Sequence, residues 1–207
     1  GGMTVLSHAR QYPQRYRSRV CGVAIIASAA QGVSRSPVGA ILRNPAVEAV
    51  KAAVRFAPVT VGRGRGAARS VLSPIIKAAS FGDMQVSPAV VAYAEKMINT
   101  TSMRTTVEFL HALEIHDEAG ALPVLAKVPS LIACGDRDLL TPLAKSEAMA
   151  RQLPKSELLV VDGAGHMVHM EQPDLINDAL VRLVERAAPS RLVALSRRLR
   201  EKGRGNG

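Results

Sequence analysis

Apolar residues gather along this chain in two ways, as short unbroken runs and as positions spaced three and four apart. The runs are Arg19 to Ala27 (RVCGVAIIA), Leu131-Ile132-Ala133-Cys134 and Leu158-Leu159-Val160-Val161. All are short, rich in Val, Ile and Leu, and bounded by Gly or Pro, which predicts buried strands covered on both faces. The second run breaks at Gly135 and delivers Asp136 and Asp138. The third breaks at Gly163 and Gly165 and delivers His166. Between them Thr141-Pro142 supplies an N-cap and a first helical residue, and Pro154 closes the segment. The unit is strand, helix, strand. A right-handed crossover of that length makes the strands parallel in one sheet, so Asp138 and His166 emerge from the same edge. In open α/β sheets that carboxyl edge carries ligands and chemistry.

The spaced positions predict helices. Gly1 to Tyr12 places Met3, Leu6 and Ala9 on one face and ends at Pro13. Asn44-Pro45 opens a helix with Val47, Val50 and Val54 on a face, closed before Pro58. Ser87-Pro88 opens another with Val90, Val91, Ala94, Met97 and Ile98 together. No strand pattern separates these last two. Residues 31–127 therefore read as a helical insertion between two sheet strands, a cap or lid over the strand ends. Gln172-Pro173 opens a closing helix carrying Ile176, Leu180, Leu183, Val184 and Ala187 on one side. The chain divides into an α/β core of residues 1–30 and 128–187, the helical lid 31–127 and a tail 188–207.

Composition adds three constraints. There is no Trp among 207 residues and aromatics make up 3 %, so Val, Ala, Leu and Ile must fill the core. The net charge of +10 is uneven: eight basic residues stand against Glu48 alone between Arg35 and Lys77, and six against Glu201 from Ala188 onward. The rest of the chain is close to neutral, which assigns any attraction to anionic surfaces to these two segments. In the tail, Leu192, Leu195 and Leu199 share a face among arginines, the pattern of a basic amphipathic helix that contacts anionic membranes peripherally; a solvated, frayed terminus is the plainer reading. The Gly62-Arg63-Gly64-Arg65-Gly66 loop lacks the aromatic partners of a nucleic-acid binder, so no specific nucleic acid is expected. The apolar run from Val20 to Ala30 is too short to cross a bilayer, and no signal peptide pattern is visible. Cys21 and Cys134 fall at opposite ends of neighbouring parallel strands, too far apart to bridge, and read as buried reduced thiols of a cytoplasmic protein.

An imidazole that accepts a proton needs an acceptor on its other nitrogen to fix its tautomer and to stabilise the imidazolium. His166 as general base with Asp138 one loop away meets that need. Asp136 directly follows Gly135 and reads as a turn former, as does Asp162. His169 lies three residues from His166, but His8, His111 and His116 are scattered over other elements, so a metal site is discounted. Ser28, Ser34 and Ser36 follow the first strand; none has the glycine spacing and following helix of an activated nucleophile, and loop or capping roles are expected.

With these parts laid out, the chain resembles the carboxyl-terminal two-thirds of an α/β-hydrolase over Gly1 to Ala187. Gly135-Asp136-Arg137-Asp138 with Thr141-Pro142, and Gly163-Ala164-Gly165-His166-Met167 with Glu171 and Pro173, resemble that family's acid and histidine motifs in order and separation. The resemblance implies a partial α/β-hydrolase sheet of parallel strands flanked by helices, with an inserted helical lid. It also gives Gly1-Gly2-Met3 a meaning as the last two glycines of the Gly-x-Ser-x-Gly-Gly nucleophile elbow, with the serine two residues before Gly1 and the chain by itself inactive. The implied reaction is hydrolysis of a carboxylic ester with an apolar acyl or alkyl group, through a Ser-Asp-His triad built on His166 and Asp138 and needing no cofactor. One alternative is an epoxide hydrolase or haloalkane dehalogenase with an aspartate nucleophile, although Tyr93 is the lone tyrosine of the lid where epoxide hydrolases generally present two. The other is a non-catalytic basic protein binding membrane or nucleic acid.

Overall fold

The computed structural model describes residues 1–36, 80–82 and 86–187, with isolated positions between 39 and 52. The Val47, Val50 and Val54 face of the helix expected after Asn44-Pro45, the Gly62 to Gly66 loop and the basic tail lie outside the described residues. Among the described residues, three parallel strands form one sheet in the order β1-β2-β3: β1 (Val23–Ile26), β2 (Ser130–Gly135) and β3 (Ser156–Val161). Val23 pairs with Ser130 and Ile26 with Ala133; Ser130 pairs with Ser156 and Gly135 with Val161. The two loops that carry Asp138 and His166 therefore leave neighbouring strands at the same edge.

Helices cover both faces. The first face is built by α1 (Gly2–Gln11), α2 (Pro13–Ser18), α5 (Leu122–Leu125) and α6 (Leu143–Ala150), where Leu6, Tyr16, Leu122, Leu125 and Met149 pack on Ile25 and Ile132. The second face meets α7 (Val168–Glu171) and α8 (Pro173–Ala187), where Val168, Ile176, Ala179 and Leu183 pack on Leu131, Ala133 and Val161. Alternation along β2 sends successive side chains to opposite faces, so every residue of the strand is buried. Between β1 and β2 the chain forms α3 (Pro88–Thr100) and α4 (Met103–Glu114), with Ser87 accepting from Ala89 N–H at 3.3 Å and Ser102 from Thr105 N–H at 3.0 Å as side-chain N-caps.

The entry and exit of this insertion are clasped together. Ala30 C=O accepts from Glu118 N–H at 2.8 Å, Gln31 bridges Asp117 in antiparallel fashion, and His116 Nε2 donates to Ala29 C=O at 3.0 Å. Arg10 of α1 forms a two-pronged ion pair with Glu118, Nε on one carboxylate oxygen and the second nitrogen on the other at 3.3 Å.

Several expectations need correction. Pro13 ends the first helix as expected but also occupies the first turn of α2, where its missing N–H costs nothing, and buried Tyr16 anchors that helix by donating to Val5 C=O at 3.2 Å. The first strand is shorter than the apolar run and starts at Val23. The third strand is not fully buried: Leu158 and Val160 are 37 % and 41 % exposed, because β3 lies at the sheet edge among the described residues. Cys134 is a buried free thiol and burial pushes its pKa up, but Cys21 is exposed. Met97 and Val184, each on an apolar helix face, are exposed.

Candidate active site

Gly135 ends β2 pressed against the following strand's loop: a Cβ there would lie 2.0 Å from the Ala164 carbonyl oxygen, so a side chain is excluded. The chain then turns through Asp136 and Arg137 to Asp138. Asp136 does more than shape its own turn. Its Oδ1 accepts Gly163 N–H at 2.8 Å, and Arg137 N–H donates to Ala164 C=O at 3.0 Å, tying the two loops together. Gly163 takes φ +71°, a left-handed conformation suited to glycine, and sends the chain back toward His166.

His166 Nδ1 lies 2.9 Å from Asp138 Oδ2. The Asp138 side chain is wholly buried while that of His166 is 27 % exposed. Asp138 has four donors: Leu140 N–H and Thr141 N–H on Oδ1, each at 2.8 Å, and Thr141 Oγ1 and His166 Nδ1 on Oδ2, at 2.8 and 2.9 Å. A carboxylate can be buried without large cost when its lone pairs are met in this way. The bond to Asp138 places the proton on Nδ1 and leaves Nε2 with a free lone pair, the tautomer of a general base.

Thr141 is placed differently from the expectation. Helix α6 starts at Leu143, with Pro142 at the cap position and no side-chain cap. The Thr141 hydroxyl is instead spent on Asp138 and also lies 3.4 Å from His166 Nδ1. The Asp-x-x-Thr spacing holds the signal, since a hydroxyl three residues past an Asx turn can fold back on the carboxylate.

Ser36 Oγ accepts Gly39 N–H at 3.2 Å, a local capping bond, and Ser28 is buried against Gly2 at the start of α1. No group of three or more His, Cys, Asp or Glu is arranged to hold a metal ion among the described residues. Partial burial on α7 pushes the His169 imidazole below the ordinary histidine range, and His166 nearby pushes the same way, against Glu171. No helix of the described residues is long and apolar enough to cross a membrane.

Comparison with known proteins agrees with this architecture. A pimeloyl-[acyl-carrier protein] methyl ester esterase of Xanthomonas campestris pv. campestris (strain B100) is 40 % identical over 75 residues, which are 36 % of this chain and 29 % of that protein. A thermophilic esterase from Thermogutta terrifontis superposes with a TM-score of 0.68 at 21 % identity, over 91 % of this chain and 63 % of that one. An enol-lactonase from Burkholderia xenovorans LB400 gives 0.65 at 21 % identity, over 89 % and 62 %. The chain thus spans less than two thirds of the length of each of these relatives. The family model for the alpha/beta hydrolase fold matches residues 1–173. A parallel sheet with helices on both faces and that match over most of its length together show that the chain belongs to the alpha/beta hydrolase fold family.

Proposed function

We propose that this polypeptide forms part of a serine hydrolase acting on carboxylic esters with an apolar acyl or alkyl group, in which His166 is the general base and Asp138 orients it. The observation that carries this reading is the 2.9 Å contact between a fully buried, four-donor carboxylate and a partly exposed imidazole at the carboxyl edge of the sheet. The names of the relatives support the ester class, since they include a methyl ester esterase and an enol-lactonase.

In this reading the nucleophilic serine stands two residues ahead of Gly1, as the match of Gly1-Gly2 to the elbow glycines implies. Gly2 packs on Ser28 just past the end of β1, so α1 begins near the edge from which Asp138 and His166 emerge. The serine hydroxyl would pass its proton to His166 Nε2 as its oxygen bonds to the ester carbonyl carbon. Collapse breaks the bond to the alcohol, which leaves with that proton. Water then repeats both transfers on the acyl-enzyme. Residues 31–127 act as the cap, and their segment 80–82 lies directly against the His166 loop.

The test uses the protein with its preceding residues included. His166→Ala is expected to lower kcat for a p-nitrophenyl ester by about 10³-fold or more, and near wild-type turnover would refute the role of His166. An aspartate encoded at the nucleophile position would replace the serine reading with that of an aspartate-nucleophile hydrolase.

A further inference from the structure

Glu171 closes α7, five residues beyond the imidazole, and its carboxylate takes part in none of the steps above. Both of its oxygens accept Gly165 N–H, at 2.9 and 3.1 Å, and Oε2 also accepts Gly82 N–H at 3.0 Å. Gly165 immediately precedes His166, whereas Gly82 belongs to the insertion. The two segments touch backbone to backbone. A Cβ on Gly82 would lie 2.2 Å from Gly163 C=O oxygen and 2.6 Å from Gly165 N; one on Gly165 would lie 2.4 Å from Gly82 N. Met167 N–H adds a bond to Ser80 C=O at 2.8 Å on the other side of His166.

We infer that Glu171 is a positioning residue for His166, clamping the loop that carries the imidazole to residues 80–82 of the insertion by collecting one N–H from each. The inference rests on the reading of His166 as a general base. Two converging N–H donors call for a group that only accepts and has two oxygens to share, and the ionised form makes each bond charge-assisted. Glutamine offers a single oxygen, and in either orientation its NH₂ would confront Gly165 N–H, which contacts both carboxylate oxygens. Asp138 fixes the imidazole from one side through Nδ1, but the backbone from which the ring projects is fixed by Gly165 and Met167. Both of these are held by the clamp or by its neighbouring bond to Ser80. Loss of the carboxylate leaves the Asp138 contact in place and frees the reach of Nε2.

The experiment has two arms. In the first, amide hydrogen exchange is followed by NMR in the 207-residue chain. In the wild type, Gly82 and Gly165 are expected to be protected to within about threefold of each other, as donors to one carboxylate. In Glu171→Gln both should exchange at least tenfold faster while Leu131 and Ile132 in β2 are unchanged. A Gly82 amide that exchanges freely in the wild type, or that keeps its protection in the variant, overturns the clamp. The wild-type comparison stands even where the variant does not fold. In the second arm, with the preceding residues included, Glu171→Gln should lower kcat for a p-nitrophenyl ester at least tenfold per folded molecule, with KM within twofold. A merely structural role would reduce the folded fraction and leave kcat per folded molecule at the wild-type value, and that result overturns the positioning role. Turnover that survives His166→Ala would sink the hydrolase reading without moving the exchange results, so the two failures are distinguishable.

Discussion

At the scale of single residues, this site is a problem in supplying donors to a buried carboxylate. Four donors reach Asp138 and one of them comes from a side chain other than the imidazole, Thr141 Oγ1 at 2.8 Å. Thr141→Val keeps the shape and removes that O–H. A hydrogen bond to a charged group contributes about 1.5–3 kcal/mol, so the variant should unfold at lower urea concentration by about that free energy. Unchanged stability would show that the hydroxyl is not held on Asp138. Asp138→Asn tests the same carboxylate through chemistry: its amide nitrogen must face either the backbone N–H groups of Leu140 and Thr141 or the Thr141 hydroxyl and His166 Nδ1–H, and the second arrangement turns the imidazole to the wrong tautomer. In the serine proteases this change lowers kcat by about 10⁴-fold with the geometry intact, and a comparable loss is expected in the protein with its nucleophile present. Gly165→Ala should be destabilising for a steric reason, because the added Cβ would meet Gly82 N at 2.4 Å and Phe81 C at 2.5 Å, both of them backbone.

At the scale of elements, position in the sheet decides what an apolar residue contributes. Leu131 in β2 is wholly buried between the sheet and α8, and Leu131→Ala should cost about 2–5 kcal/mol in denaturant unfolding. Leu158 in β3 is 37 % exposed, and its replacement by Ala should cost under about 1 kcal/mol. Equal losses would mean that the edge of the sheet is covered in solution. The same contrast explains what could be read from the sequence. The runs of Leu131 to Cys134 and Leu158 to Val161 are alike as strings, so both predict strands and both strands are present; which one is central depends on a pairing order that no local pattern encodes. The Ser87 cap and the Leu6 and Ala9 face were legible because caps and periodicity are local. Helix α2 was not, since a proline reads equally well as the end of one helix or the first turn of the next. Asp138 and His166 were legible because each follows a strand and a glycine. The Glu171 clamp was hidden, since Gly82 lies far away in the sequence and donates through its backbone, which any residue type could do.

At the scale of the molecule, the contacts that join the described part of the insertion to the core include one that titrates. Glu118 follows α4, and the Arg10 guanidinium of α1 beside it holds its carboxyl below the usual carboxylate range through a hydrogen bond, with partial burial opposing. A carboxyl whose pKa is lower in the folded state than in the unfolded chain stabilises the fold when ionised. That contribution is complete above the unfolded value of about 4.3 and disappears as pH falls through the lower folded value. Arg10 stays charged throughout, so the loss comes entirely from Glu118. Glu118→Gln removes the titrating group while leaving an acceptor for one Arg10 N–H. The wild type should therefore melt at a higher Tm than the variant at pH 6, and the gap should narrow steadily as the pH is lowered from 5 to 3. A gap that stays constant over that range would mean that the Arg10 pairing does not favour the ionised carboxylate. A gap that widens would reverse the sign of the argument. Because Glu118 N–H also bonds Ala30 C=O, and Gln31 bridges Asp117 beside it, loosening this pair should show first as faster amide exchange at Glu118, where the insertion returns to the core, while Ile132 and Ala133 keep their wild-type protection until global unfolding.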